Sequence, residues 1–360
     1  MAQNPDSLDQ LSFTGDFRIR VEEDWNSRKS DGSYRTDRTR LRYRMRFGAA
    51  YQYNEHWKLA TRIRTGNPRK QQDPQLTLGD ESEFGTLSLG FEKLYVSTVY
   101  GGFGAWAGKN TFPFTKQNEL FWSDNVYPEG LFASQSIDLQ SAWVDRIKLG
   151  IGHFIITSNN ESLGQDNYFQ GIQFTTSHFN ERLELFPSFY YFKNTPDLPD
   201  GGANYTFNYS FFHFGSSAKI SKKPIIEVEL DYYLNLQDYE SNDSIPQVLK
   251  NQKTGFTAAI SIGQLKEKND WKVKLTYIYL ERYAAVDFLA QNDWARWDYS
   301  ADNSPDGRLT NLKGLELMMG YSFNEKFTLN MRSFFVDQLI AMGPVKESNS
   351  RIRLDLDIGF

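Results

Sequence analysis

The 360-residue chain has no cysteine, only four histidines, and no apolar run approaching the roughly eighteen residues of a membrane helix. The first absence excludes a disulfide scaffold and fits an envelope protein that crosses an oxidising periplasm without needing cross-links. His56, His153, His178 and His213 are scattered without metal-ligand spacing, and neither Gly-x-Ser-x-Gly nor His-Glu-x-x-His occurs, so the chain reads as no enzyme and needs no cofactor. The missing apolar run excludes a helical membrane protein but not a membrane strand, only one face of which meets lipid. The opening Met1-Ala2-Gln3-Asn4-Pro5 has neither a basic nor an apolar signal region and reads as a mature form with an added Met1. The net charge of −5 comes with no basic block, so nucleic acid is not suggested as a partner.

What the chain has is aromatic residues, 28 Phe and 20 Tyr, combined with a mean hydropathy of −0.58. Apolar side chains are diluted by polar ones at nearly every second position, and period two means a strand. In Phe13–Glu22, Phe13, Phe17, Ile19 and Val21 share one face while Asp16, Arg18, Arg20 and Glu22 share the other. Arg38–Phe47 places five arginines opposite Thr39, Leu41, Tyr43, Met45 and Phe47. One face must be dry and the other wet.

The pattern recurs through His56–Gly66, Leu89–Tyr100, Phe103–Asn110, Leu131–Leu139, Trp143–Ile156, Asn167–Ser177 and Arg182–Lys193. It continues through Thr206–Ile220, Pro224–Gln237, Lys253–Gln264, Asp270–Tyr283, Leu312–Phe323, Lys326–Val336 and Ser348–Phe360, sixteen segments in all. Many reach the nine to eleven or so residues that cross a bilayer at a tilt. Short turns such as Asn54-Glu55 and Gly101-Gly102 alternate with long loops such as Asn67–Ser88, Thr111–Gly130 and Ala284–Asn311. The expected fold is therefore all-β, a transmembrane antiparallel up-and-down β-barrel of about sixteen strands with short periplasmic turns and long outer loops. Residues 1–12 are expected to form a periplasmic extension and 13–360 the barrel. A soluble sandwich shares the period but not the one-sided loop lengths.

The chain closes on Ile352, Leu354, Leu356, Ile358 and Phe360 at alternate positions. This end resembles the C-terminal strand signature of outer-membrane proteins, whose final aromatic is read by the barrel assembly machinery. With the arginine-rich Arg38–Phe47 and the segment Asn118–Gly130, it resembles the putative porin family of Gram-negative bacteria. That resemblance implies a bacterial outer-membrane location, lipid around the barrel, and passive diffusion of ions and small hydrophilic solutes through a water-filled channel. A substrate-specific channel or a subunit of a larger outer-membrane complex is the alternative, with a barrel enzyme behind it, and monomer and homotrimer are both open. General porins fold their third outer loop into the lumen, which gives the same expectation for 111–130.

If the apolar face meets lipid, Arg18, Arg20, Arg38, Arg40, Arg42, Arg44, Arg46, Arg62 and Arg64 enter the lumen as a basic wall on the first three strands. Nine like charges need water, acids or passing anions for compensation. Candidate acids are Glu119, Asp124 and Glu129 in the third long loop, Glu227, Glu229 and Asp231 on a later strand, and Asp355 and Asp357 at closure. The last two are placed to pair with Arg18 and Arg20. Asp302, Ser304 and Asp306 match the start of an EF-hand loop, but Lys313 occupies the twelfth position, so a surface turn is the better reading than a calcium site.

Overall fold

The computed structural model describes residues 10–68, 72, 74–79, 85–139, 141–159, 162, 164–196, 206–294 and 309–360. Among them, sixteen long strands follow one another around a closed antiparallel barrel. They are β1 Leu11–Arg28, β2 Arg38–Gln52, β3 Trp57–Thr65, β4 Leu89–Tyr100, β5 Phe103–Lys109, β6 Glu129–Asp138, β7 Val144–Thr157 and β8 Asn167–His178. The second half comprises β9 Leu183–Pro196, β10 Thr206–Lys222, β11 Ile225–Asn235, β12 Thr254–Gly263, β13 Trp271–Leu280, β14 Leu312–Asn324, β15 Phe327–Gln338 and β16 Ser348–Gly359.

Each strand pairs with its sequence neighbours, and β1 pairs with both β2 and β16, so the ladder has no free end. Closure is what lets a sheet lie in lipid, where an unpaired edge would leave backbone groups unsatisfied. Turns at one end are short, as between β4 and β5, and connections at the other are long. A two-residue strand, Leu76–Thr77, folds back from the second long loop and pairs with β2 at Tyr43 and Arg42, where β3 has already ended.

Alternation sets the faces. Ile19 and Val21 of β1, Leu41 and Met45 of β2, and Leu354 of β16 are exposed on the outside, whereas Arg20, Arg44 and Asp355 between them are buried within. This inverts a soluble protein: apolar side chains outward, charged ones inward.

Three expectations need adjustment. β1 begins at Leu11 and runs on to Arg28 rather than stopping at Glu22, because Asp24 continues the inward row and is neutralised there by Arg38 and Arg351. The third long loop is Asn110–Pro128, since Glu129 and Gly130 already pair in β6 with β5. The inner face is also not uniformly polar. Phe132, Phe154, Phe169, Tyr190, Phe211 and Tyr233, one from each of β6 to β11, are buried on the inside.

Candidate functional site

The lumen has two unlike halves. On one side the arginines of β1 to β3 interleave with acids that are mostly their strand neighbours. Arg18 donates to Asp357 at 2.6 and 3.0 Å, and Arg20 to Asp355 at 2.6 and 2.9 Å, both across the closing seam. Asp16 accepts from Arg44 and Arg46, each at 2.7 Å. Glu22 pairs with Arg40 and lies 3.6 Å from Arg42; Asp24 accepts from Arg38 and Arg351, each at 2.7 Å. Arg62 donates to Glu92 at 2.5 Å and to the Tyr127 hydroxyl at 2.7 Å, and Arg64 stands 4.0 Å from Glu92.

The compensation thus comes chiefly from acids of the strands themselves, Asp16, Glu22, Asp24, Glu92, Asp355 and Asp357. The basic wall also continues over the seam through Arg332 on β15 and Arg351 and Arg353 on β16. Sequence reasoning passed over Arg351 and Arg353, although they share parity with Asp355 and Asp357.

The other half is aromatic, and the loop Asn110–Pro128 is folded onto it. Phe121 lies between Tyr190, Phe211 and Tyr233 with centroids 5.1–5.2 Å away, and Phe112 stacks on Trp122 at 4.5 Å. Two polar clamps fix this seat. Gln173 on β8 accepts from the Thr115 amide at 2.7 Å and donates to the Thr115 carbonyl at 2.9 Å. Asp231 on β11 accepts from the Asn118 side chain at 2.6 Å and pairs with His213 at 2.8 Å. Where the loop returns to the wall, burial and Glu92 push the Tyr127 phenol up to about 12, so it remains a neutral partner for Arg62.

A second loop reaches in from between β13 and β14. Residues 283–291 of it are buried, and it is stitched to the first by Ser123 N–H to Leu289 O at 2.7 Å and Gln291 N–H to Glu119 O at 3.1 Å. Gln72 adds donation to the carbonyls of Phe288 and Ala290, each at 2.6 Å. Asp293 at its far end pairs with Arg353 and lies 3.9 Å from Arg20. Burial alone would raise the Asp293 carboxyl, but Arg353, Arg20, Arg332 and Arg351 outweigh it and hold the group well below the ordinary carboxylate range.

Two polar cavities remain, of about 420 and 350 Å³. Both are lined by Arg18, Glu119, Asp124, Arg332 and Arg353, which therefore stand where the two adjoin. Glu119 stands 3.9 Å from Arg332, and Asp124 pairs with Lys116 at 2.5 Å. Enclosure and the neighbouring Asp124 raise the Glu119 carboxyl above its ordinary value.

Glu229 faces inward and pairs with Lys274 at 2.5 Å. Glu227 lies two residues nearer the short-turn end on the same face, and Asp231 serves the loop clamp. Glu129 departs from expectation: it shares the outward face of exposed Leu131 and pairs there with Lys109 at 2.5 Å. Reading it as a loop residue hid this parity. Phe360 packs across the seam, where a Cβ added to Gly15 would meet its ring at 2.2 Å, and exchanges backbone hydrogen bonds with Gly15 at 3.0 Å each way. Asp302, Ser304 and Asp306 lie outside the described residues.

Residues 32–201 match the model of the family described as "Putative porin". No curated protein matches the chain. Among solved structures, a mutant of the Rh. blastica porin is 12% identical, with 97% of this chain and 100% of that one covered and a TM-score of 0.55. Salmonella typhi OmpF in complex with daunomycin is 11% identical over 97% of each chain, with a TM-score of 0.56. Pseudomonas putida OprB at high pH is 12% identical over 98% of this chain and 95% of that one, also with a TM-score of 0.56. At such identities the likeness is one of fold.

Proposed function

We propose that the chain is a bacterial outer-membrane channel of the porin type, through which ions and small hydrophilic solutes diffuse along the arginine-bearing side of the lumen. The observation that carries this reading is the pair of adjoining cavities inside the barrel that share Arg18, Glu119, Asp124, Arg332 and Arg353 in their lining. A path bounded by guanidinium groups on one side and loop carboxylates on the other orients dipolar solutes and disfavours apolar ones, which would have to displace strongly held water. The family match over residues 32–201 and the closed barrel support the same reading. Lipid covers the exposed apolar girdle.

Planar-bilayer recording tests this directly. Stable current steps are expected, and a folded barrel that gives none would remove the channel reading. The ratio of anion to cation permeability, read from the reversal potential in a salt gradient, should fall when Arg42 or Arg44 is replaced by Ala.

A substrate-specific channel is the second reading, favoured by one feature. Loops from three parts of the chain are bonded to one another inside the barrel through Ser123, Glu119 and Gln72, which favours a restricted lumen over an open bore. Flux that saturates with solute concentration would distinguish it from simple diffusion.

A further inference from the structure

The cavity of about 350 Å³ is lined by nine arginines, Arg18, Arg20, Arg40, Arg42, Arg44, Arg46, Arg332, Arg351 and Arg353. Its lining includes four acids, Glu22, Glu119, Asp124 and Asp293, while Asp16, Asp24, Glu316, Asp355 and Asp357 pair with these arginines from behind it. Glu22 is part of β1 and is fixed by Arg40. Asp293 is different: it enters from a loop, and its carboxylate meets arginines of two strands. It pairs with Arg353 and stands 3.9 Å from Arg20. The backbone carbonyls of Asn292 and Asp293 accept from Arg351 at 3.3 and 2.7 Å.

The geometry points to a binding site for a small soluble carboxylate in this cavity, with Asp293 as its tethered resident, displaced when the solute arrives. The inference rests on the channel reading for its biological sense but not for its test. A carboxylate already sits there, so the donor set is known to suit that group. Donors are also left over, because Arg40 Nε and Arg44 Nε are buried without a hydrogen-bond partner among the described residues. The volume suits a small organic acid rather than a larger solute.

A purely structural pin would account for one ion pair holding the loop. It does not account for a cavity beside Asp293 that nine guanidinium groups line. Exchange of one carboxylate for another also leaves the buried guanidinium groups compensated throughout, which avoids the large penalty of an unpaired buried charge. A tethered competitor acts as a local carboxylate at an effective concentration on the order of millimolar, so it weakens the soluble ligand without abolishing its binding. Binding energy is then set by the difference between two seated carboxylates, and a second carboxylate on the solute supplies that difference by meeting further arginines of the lining.

Calorimetric titration of the detergent-solubilised full chain with succinate tests this, with folding of each variant verified by its heat-modifiable gel migration. Asp293→Asn removes the competitor while keeping the shape, and it should bind succinate about tenfold more tightly than the wild type. Unchanged affinity would overturn the proposal, as would equal tightening for uncharged glycerol. Tightening for inorganic phosphate but not succinate would overturn the carboxylate assignment.

The wild type offers an independent reading should the variant not fold. Trp294, next to Asp293, is buried against Phe334 with centroids 5.1 Å apart. Succinate should change its emission saturably, and the change should vanish in Trp294→Phe; a flat titration would rule out displacement. A barrel that binds succinate but carries no current removes the channel reading and leaves the site. A conducting barrel whose Asp293→Asn variant binds no better than wild type removes the site alone.

Discussion

A charged side chain in this barrel is defined by which face it takes and which partner it meets. Parity alone put Arg18, Arg20, Asp355 and Asp357 on the inner face, and the register across the seam then brings Arg18 opposite Asp357 and Arg20 opposite Asp355. Glu129 shows the limit, since parity is meaningless until the strand boundary is known. Glu119 is the residue whose charge should matter most to flow, because it lines both cavities with its carboxyl raised above the ordinary value by enclosure and by Asp124. On acidification it takes its proton before an exposed glutamate does. Protonation removes a negative charge from a passage shared with Arg18, Arg332 and Arg353, so anion preference should rise as pH falls through that raised pKa. Reversal potentials measured across a pH series should show this step. Glu119→Gln should hold the anion-shifted value throughout and flatten it; a step that persists unchanged in the variant would assign it to another group.

At the scale of elements, the loop Asn110–Pro128 was legible as an inward loop from its aromatics and prolines, but its seat was not. The missed signal is plainest in β9 and β10, where Phe189-Tyr190-Tyr191-Phe192 and Phe211-Phe212-His213-Phe214 interrupt the alternation. Consecutive large apolar residues mean a strand covered on both faces, here by lipid outside and by the loop inside. The seat is held by packing and clamps rather than by the barrel ladder, so it should fail separately from the barrel. Phe121→Ala removes a ring that contacts three others; in a packed core such a change costs about 3–5 kcal/mol. Gly171→Ala attacks the same seat from the wall, because its Cβ would stand 2.5 Å from the Phe114 ring. Both variants should show larger, noisier conductance and faster proteolysis within 110–128, with the barrel's heat-modifiable migration retained. Gly104→Ala meets nothing closer than 3.8 Å and should behave as the wild type. If both seat variants conducted with wild-type amplitude and noise, the loop would not be what narrows the path.

For the whole molecule, the decisive feature is that the sheet closes. Sixteen strands with loops long at one end were readable from period and spacing, because lipid outside and water inside impose opposite demands on alternate residues. The asymmetry of the lumen was not readable, since it depends on where two loops fold, and loop packing leaves little periodic trace. Closure concentrates buried charge at the β1–β16 seam, where Arg20 is 5% exposed and Asp355 2%. Their pair is not by itself a source of net stability, because desolvating both ions offsets most of their attraction; its removal on one side is what is costly. Asp355→Leu leaves Arg20 with Glu22 and Asp293 as its acidic neighbours among the described residues, each 3.9 Å away, and should lower stability by about 3–5 kcal/mol. Adding Arg20→Met removes the stranded charge and should recover most of that loss. The temperature at which each protein shifts from folded to unfolded migration on a gel reports both steps. A double variant as weak as the single would mean that the seam depends on the pair's hydrogen-bond geometry, which orients β16 against β1, and not on charge compensation.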